Sequence, residues 1–193
     1  MNTTAAVPST LTTALWPDRG LARSVLLAVA GSLLLALSAR LQVPFWPVPM
    51  TMQTYVVLVL AMAYGWRLGT ATMVLYLLEG ALGLPVFAGT PEKGIGLAYM
   101  AGPTGGYLAG FVAATLVAGW LAERGWDRNW LSAGVVVLLG HAVIFVFGVS
   151  WLATLIGPER AIAAGFTPFI AATIAKTALG LATMPLAWRL LRR

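Results

Sequence analysis

Residues 51–88 read "TMQTYVVLVLAMAYGWRLGTATMVLYLLEGALGLPVFA", and only Arg67 and Glu79 in this run carry charge. A helix crosses a bilayer with about 20 apolar residues, so the run is too long for one span. The segment "GWRLG", residues 65–69, divides it by placing a glycine on either side of Trp-Arg-Leu. Glycine punctuates helices because it tolerates turn conformations. The run therefore reads as two spans, 51–66 and 69–88, joined by a tight turn.

Working outward, four further apolar segments separate at 22–41, 103–122, 131–156 and 168–190. The chain reads as an all-α integral membrane protein with six transmembrane helices. The connector "RLQVPFWPVPM", residues 40–50, contains three prolines and favours an extended loop over a helix. Residues 1–20 lack the charged start, apolar centre and small-residue cleavage site of a signal peptide. They read as a loose or interfacial lead-in, anchored by Trp16. Residues 21–193 form a single transmembrane domain. No repeat of solenoid length or inverted repeat is evident.

Composition agrees. Of 193 residues, 60% are hydrophobic and 9% charged, too few charges to cover a soluble surface. Cysteine is absent, which removes disulfides, thiolate metal sites and cysteine nucleophiles. The net charge of +6 is scattered rather than striped, which argues against nucleic acid. With the N-terminus inside, the cytoplasmic segments hold Arg19, Arg23, Arg67, Arg124, Arg128, Arg189, Arg192 and Arg193. The outer side holds Arg40, Lys93 and Arg160. Eight against three places both termini in the cytoplasm by the positive-inside rule. Trp66, Trp120, Trp126, Trp130 and Trp188 fall at inner ends, with Trp46 and Trp151 at outer ones, as an aromatic belt requires.

Two rows of small residues recur at every fourth position: Ala28, Ser32 and Ala36, and Gly106, Gly110, Ala114 and Ala118. Such rows let membrane helices approach closely. They serve packing inside the bundle, or one of them faces a separate membrane subunit.

Glu79, His141, Lys176 and Gln53 are the strongly polar side chains within spans. Lys176 lies eight residues into the last span, about 12 Å below its outer end, and Glu79 stands at a similar depth. A lysine stem is too short to reach the interface comfortably from there. Lys176 therefore pairs with Glu79, or waits for an anionic ligand. His141 reads as a hydrogen-bonded interior residue. Gln53 reads as a helix–helix hydrogen-bonding group or a ligand contact. Residues 89–103, "GTPEKGIGLAYMAGP", form the longest outer connector and suit a lid. No nucleotide-binding or hydrolase motif appears, and His141 and Glu79 alone are too few ligands for a metal. No cofactor is expected.

The strings "VPFWPVPMTMQTYVVLVLA", "YLLEGALGLPVFAG" and "GPTGGYLAGF" occur in the order and at the spacing of the BioY family, which the chain resembles from residue 22 onward. These are biotin-binding S components of energy-coupling-factor transporters. The resemblance implies an S-component fold with an outer biotin pocket, in the cytoplasmic membrane of a prokaryote. It implies as partners a transmembrane coupling subunit and ABC-type ATPases, in which ATP hydrolysis would reside, so the chain is not itself an enzyme. Surrounding membrane lipid is a further partner. A solitary or homo-oligomeric mode, another vitamin as ligand, and a non-transport structural subunit stay open. The family's last span carries Pro-Gly-Asp-x-x-Lys at the biotin site. Here Lys176 keeps the lysine, Thr173 replaces the acid, and Ala171 and Ala172 replace Pro-Gly. Gln53 matches the second-span Thr-x-Gln, while Tyr107, Phe45 and Trp46 offer flat surfaces for a bicyclic ring. Glu79 is expected to balance Lys176. Ala28, Ser32 and Ala36 resemble the Ala-x-x-x-Ala surface on which S components dock.

Overall fold

The computed structural model describes residues 9–17, 20–43 and 46–191. Its helices are α1 (Leu11–Leu15), α2 (Leu21–Arg40), α3 (Gln53–Ala81), α4 (Gly96–Met100), α5 (Gly105–Ala122), α6 (Trp130–Ile156), α7 (Pro158–Gly165) and α8 (Ile170–Leu191). A 3₁₀ turn, Thr167–Phe169, leads into α8. Strands β1 (Gln42–Val43) and β2 (Met50–Thr51) pair antiparallel, with Gln42 opposite Thr51. Among the described residues, five helical stretches are long and apolar enough to cross a membrane.

One of those five, α3, folds back on itself. Gly65 has φ 79° and ψ 175°, a conformation essentially reserved for glycine. A Cβ on Gly69 would lie 3.4 Å from the Cα of Ala61. Residues eight apart in a straight helix are separated by about 12 Å. Gln53 Nε2 also donates to Tyr76 Oη at 2.6 Å across 23 residues of sequence. The limbs 53–64 and 66–81 are therefore antiparallel, and the turn is tighter than "GWRLG" suggested.

Close backbone approach fixes this turn against α5. A Cβ on Gly119 would lie 2.5 Å from the Trp66 backbone nitrogen. Farther along α5, Gly106 meets Trp151 and Gly110 meets Ile144, so this small-residue row packs against α6. The row on α2 behaves differently. Ser32 is buried and donates its hydroxyl to Glu79, while Ala28 and Ala36 are half-buried. A hydroxyl facing a carboxylate turns the centre of that row inward. The outward face of α2 carries Leu26, Leu33 and Leu37.

The described part of the lead-in is docked rather than loose. Thr10 caps α1, Thr12 Oγ1 donates to the Ala63 carbonyl at 3.0 Å, and Arg23 Nη2 donates to the Thr12 carbonyl at 2.7 Å. Trp16 is half-exposed, as an interfacial anchor would be. The third span is shorter than expected, since α3 stops at Ala81 and the chain turns through Gly83.

Asp127, in the connection between α5 and α6, is fully buried and accepts a hydrogen bond from Trp188 Nε1 at 2.6 Å. Burial raises its pKa from 3.8 to about 6, against the opposing hydrogen bond and the nearby Arg128. The folded state therefore holds this proton more tightly than the unfolded chain. Its stabilising effect is present at low pH and is lost as pH rises from about 4 through 6, a change of about 3 kcal/mol. Thermal midpoints in detergent should fall across that window, and Asp127→Asn should flatten the fall. A wild-type midpoint that rises from pH 4 to 6 would contradict this.

Candidate ligand-binding site

The end of the bundle opposite Gly65 gathers residues 41–43, 46–52 and 82–104 with α7 and the start of α8. Tyr99, on α4, donates to the Ala88 carbonyl at 2.8 Å and stacks on Phe87 at 4.9 Å. Arg40 donates to the carbonyls of Pro85 and Thr90. The expected lid is thus a folded cap tied down by its own aromatic and backbone contacts.

Beneath the cap, α8 supplies Thr173 and Lys176, three residues apart on one helix face. Lys176 is only 6% exposed, and its Nζ donates to Thr54 Oγ1 at 3.1 Å. Gln53, beside Thr54 at the start of α3, is also buried. Its Nε2 is held by Tyr76 Oη at 2.6 Å and by the Leu35 carbonyl at 3.4 Å. Tyr76 in turn donates to the Val86 carbonyl at 3.0 Å. This chain of bonds fixes the amide and leaves its carbonyl oxygen as the free acceptor. Tyr107, on α5, donates to the Gly165 carbonyl at 2.7 Å and presents its ring as a wall.

Gln53, Thr54, Thr173, Lys176 and Tyr107 line one cavity of about 40 Å³ with Phe111, Phe145 and Phe169. Phe145 and Phe169 meet edge to face at 6.3 Å. The lining combines one ammonium, one amide and four threonines, Thr51, Thr54, Thr104 and Thr173, with aromatic rings. A second space of about 510 Å³, a groove opening sideways, shares Thr51 and Lys176 with this cavity and runs past Leu179 to Arg40. Thr51 and Lys176 are the wall between the two.

Four of the expected residues therefore come together: Lys176, Thr173, Gln53 and Tyr107. Glu79 does not join them. It faces α2 through Ser32, and no carboxylate among the described residues reaches the Lys176 ammonium. Equal depth put the two on one level but said nothing about azimuth. Trp46 is 78% exposed and lines neither space. Phe45 lies outside the described residues. His141 is buried, with Nδ1 2.9 Å from the Val137 carbonyl and Nε2 unbonded. Reading the sequence missed Thr54, although it adjoins Gln53. It also missed Phe145 and Phe169, which an apolar sequence does not distinguish from lipid-facing residues.

The BioY family model matches residues 4–193. The chain is 38% identical to the probable biotin transporter BioY of Pyrococcus horikoshii over 157 residues, covering 81% of this chain and 91% of that one. It is 41% identical to the biotin transporter BioY of Thermotoga maritima over 138 residues, covering 71% and 79%. Its fold matches the crystal structure of an S component for biotin from an ECF-type ABC transporter. The TM-score is 0.74 at 22% identity, over 89% of this chain and 92% of that one. A family match running through the docked lead-in, all the long helices and Lys176 leaves one assignment: the chain belongs to the BioY family.

Proposed function

We propose that the chain captures biotin in the cavity beneath its outer cap and delivers it across the membrane as the S component of an ECF-type transporter. The observation that carries this reading is the buried Lys176 ammonium, facing an aromatic cavity with no carboxylate of its own among the described residues. A point cation in a low-dielectric site favours a carboxylate strongly. Biotin's tail ends in one. Its urea group donates and accepts, which suits the Gln53 carbonyl, while the hydroxyls of Thr54 and Thr173 stand beside Lys176 and can share the carboxylate. The bicyclic head finds flat apolar surfaces on Tyr107 and the phenylalanines. The cavity is small, so the cap formed by 82–104 opens to admit the ligand.

On this reading residues 21–193 form one domain of six membrane-crossing helices, the two limbs of α3 counting separately. Both termini face the cytoplasm, and the membrane is the inner one. A coupling subunit docks along α2, whose outward leucines flank Ala28 and Ala36. ABC-type ATPases bound to that subunit supply the energy. Homo-oligomers form when the chain acts alone.

Titration of the purified protein with biotin tests the capture step: a folded preparation without measurable affinity ends the proposal. Thr173, standing where the family has an acid, favours a second reading in which another vitamin is the ligand. A competition panel of vitamins against labelled biotin separates the two, because only the cognate ligand displaces it at low concentration.

A further inference from the structure

Five arginines lie over tryptophan rings among the described residues: Arg23 on Trp16, Arg67 on Trp66, Arg124 on Trp120, Arg128 on Trp188 and Arg189 on Trp130. All belong to the end of the bundle that holds Gly65 and the α5–α6 connection. Two of the five pairs open onto an apolar groove. Trp66, Leu116, Val117, Trp120, Leu121 and Leu139 line a space of about 460 Å³ on the outer surface of α5 and α6. Leu116, Trp120 and Leu139 are each at least 40% exposed, so the groove faces the membrane.

Two of the tryptophans that line the groove each carry an exposed arginine on the ring. Arg67 sits 4.5 Å from the centre of the Trp66 ring, and Arg124 sits 3.3 Å from that of Trp120. Arg124 Nη1 also donates to the Trp120 carbonyl at 3.0 Å, which fixes its guanidinium there. The carboxylate nearby, Glu123, is turned into the fold and accepts the Trp66 backbone N–H at 3.3 Å. Two exposed guanidiniums thus outweigh one committed acid. A guanidinium stacked on an indole keeps donors free in its plane, and their fork matches phosphate oxygens. Aliphatic walls beside such guanidiniums suit an acyl chain.

We propose that this groove is a binding site for an anionic glycerophospholipid. One acyl chain lies along Leu116 and Leu139 between the two tryptophans, and the phosphate sits between Arg67 and Arg124. The inference rests on the groove and its charge, and holds whatever ligand the cavity at the other end takes.

The test uses delipidated full-length protein in detergent, to which phosphatidylglycerol or phosphatidylcholine with brominated acyl chains is added. Bromine quenches the groove tryptophans on contact. Phosphatidylglycerol should bind roughly 30-fold more tightly, the factor that two basic residues carry at an anionic lipid surface. Arg67→Gln with Arg124→Gln should erase that difference, and Leu116→Phe should weaken both lipids by filling the groove. Ligand binding at the opposite end should be unchanged in all variants, which serves as the folding control. Equal affinity for the two lipids overturns the proposal, as does a preference that survives the double substitution. The chain has no cysteine of its own, so Leu139→Cys introduces the only thiol. Efficient disulfide cross-linking of two copies there would also overturn it, by making the groove an interface between chains.

Discussion

Lys176→Met should lower biotin affinity by about 30-fold or more while leaving biotinamide within a few-fold of its wild-type value. Removing one partner of a buried charge pair costs about 2–5 kcal/mol, and each 1.4 kcal/mol is a factor of ten. Biotinamide has no carboxylate, so it has no pair to lose. The variant should fold, because an apolar side chain of similar length replaces a buried charge whose one bonded partner among the described residues is Thr54. Isothermal titration with both ligands reads the first effect, and the thermal midpoint reads the second. Equal losses for biotin and biotinamide would refute a carboxylate contact. Unfolding without ligand would instead favour a structural subunit in which Lys176 clasps helices.

The second large effect is expected at the turn within α3. Gly65→Ala places a β-carbon on a residue with φ 79° and ψ 175°, at a strain of about 1–3 kcal/mol. The same β-carbon meets Glu123 Oε1 and lies 2.9 Å from Thr10 Cγ2. The thermal midpoint in detergent should drop by several degrees, and proteolysis near the α1 dock should accelerate. Adding Glu123→Ala should recover only part of the loss, since it removes the Glu123 contact but neither the Thr10 contact nor the backbone strain, and it also gives up the Trp66 N–H bond. Gly83→Ala serves as a comparison: its φ is 92°, yet no atom lies within 4 Å of the added carbon. It should therefore cost less. A Gly65→Ala variant as stable as wild type would mean that the turn is not held as described.

The spans were legible because hydropathy and glycine act locally. Residues 131–156 and 103–122 were placed within a residue or two of α6 and α5. Lys176 and Gln53 were legible as site residues because a charge or amide in an apolar run needs a partner, whatever the fold. What stayed hidden depends on rotation about helix axes. Glu79 and Lys176 share a depth, yet Glu79 points toward Ser32 and Lys176 toward Thr54. The α2 row was open between bundle packing and a docking face for the same reason. Spacing defines a stripe of residues, but only the neighbouring helices decide where it faces. Phe145 and Phe169 show the limit most clearly, since an aromatic ring in a membrane helix suits a cavity wall and a lipid contact equally well.

The first limb of α3 has one further consequence. Twelve residues of helix, 53–64, reach about 18 Å, whereas the hydrocarbon core of a bilayer is about 30 Å thick. Beyond it the described chain continues as the β1–β2 ribbon and residues 46–49. Non-helical backbone persists at such a level only inside protein or beside water. On the proposed six-span placement, the leaflet on the cap side would dip toward this sector instead of meeting the protein at full height. Lys176 would then sit less deep than residue counting suggests, because the water surface would descend toward it. Bilayer thickness thus becomes a variable of binding: longer-chain lipids resist the dip, deepen the effective burial of the ammonium and raise the cost of keeping it charged.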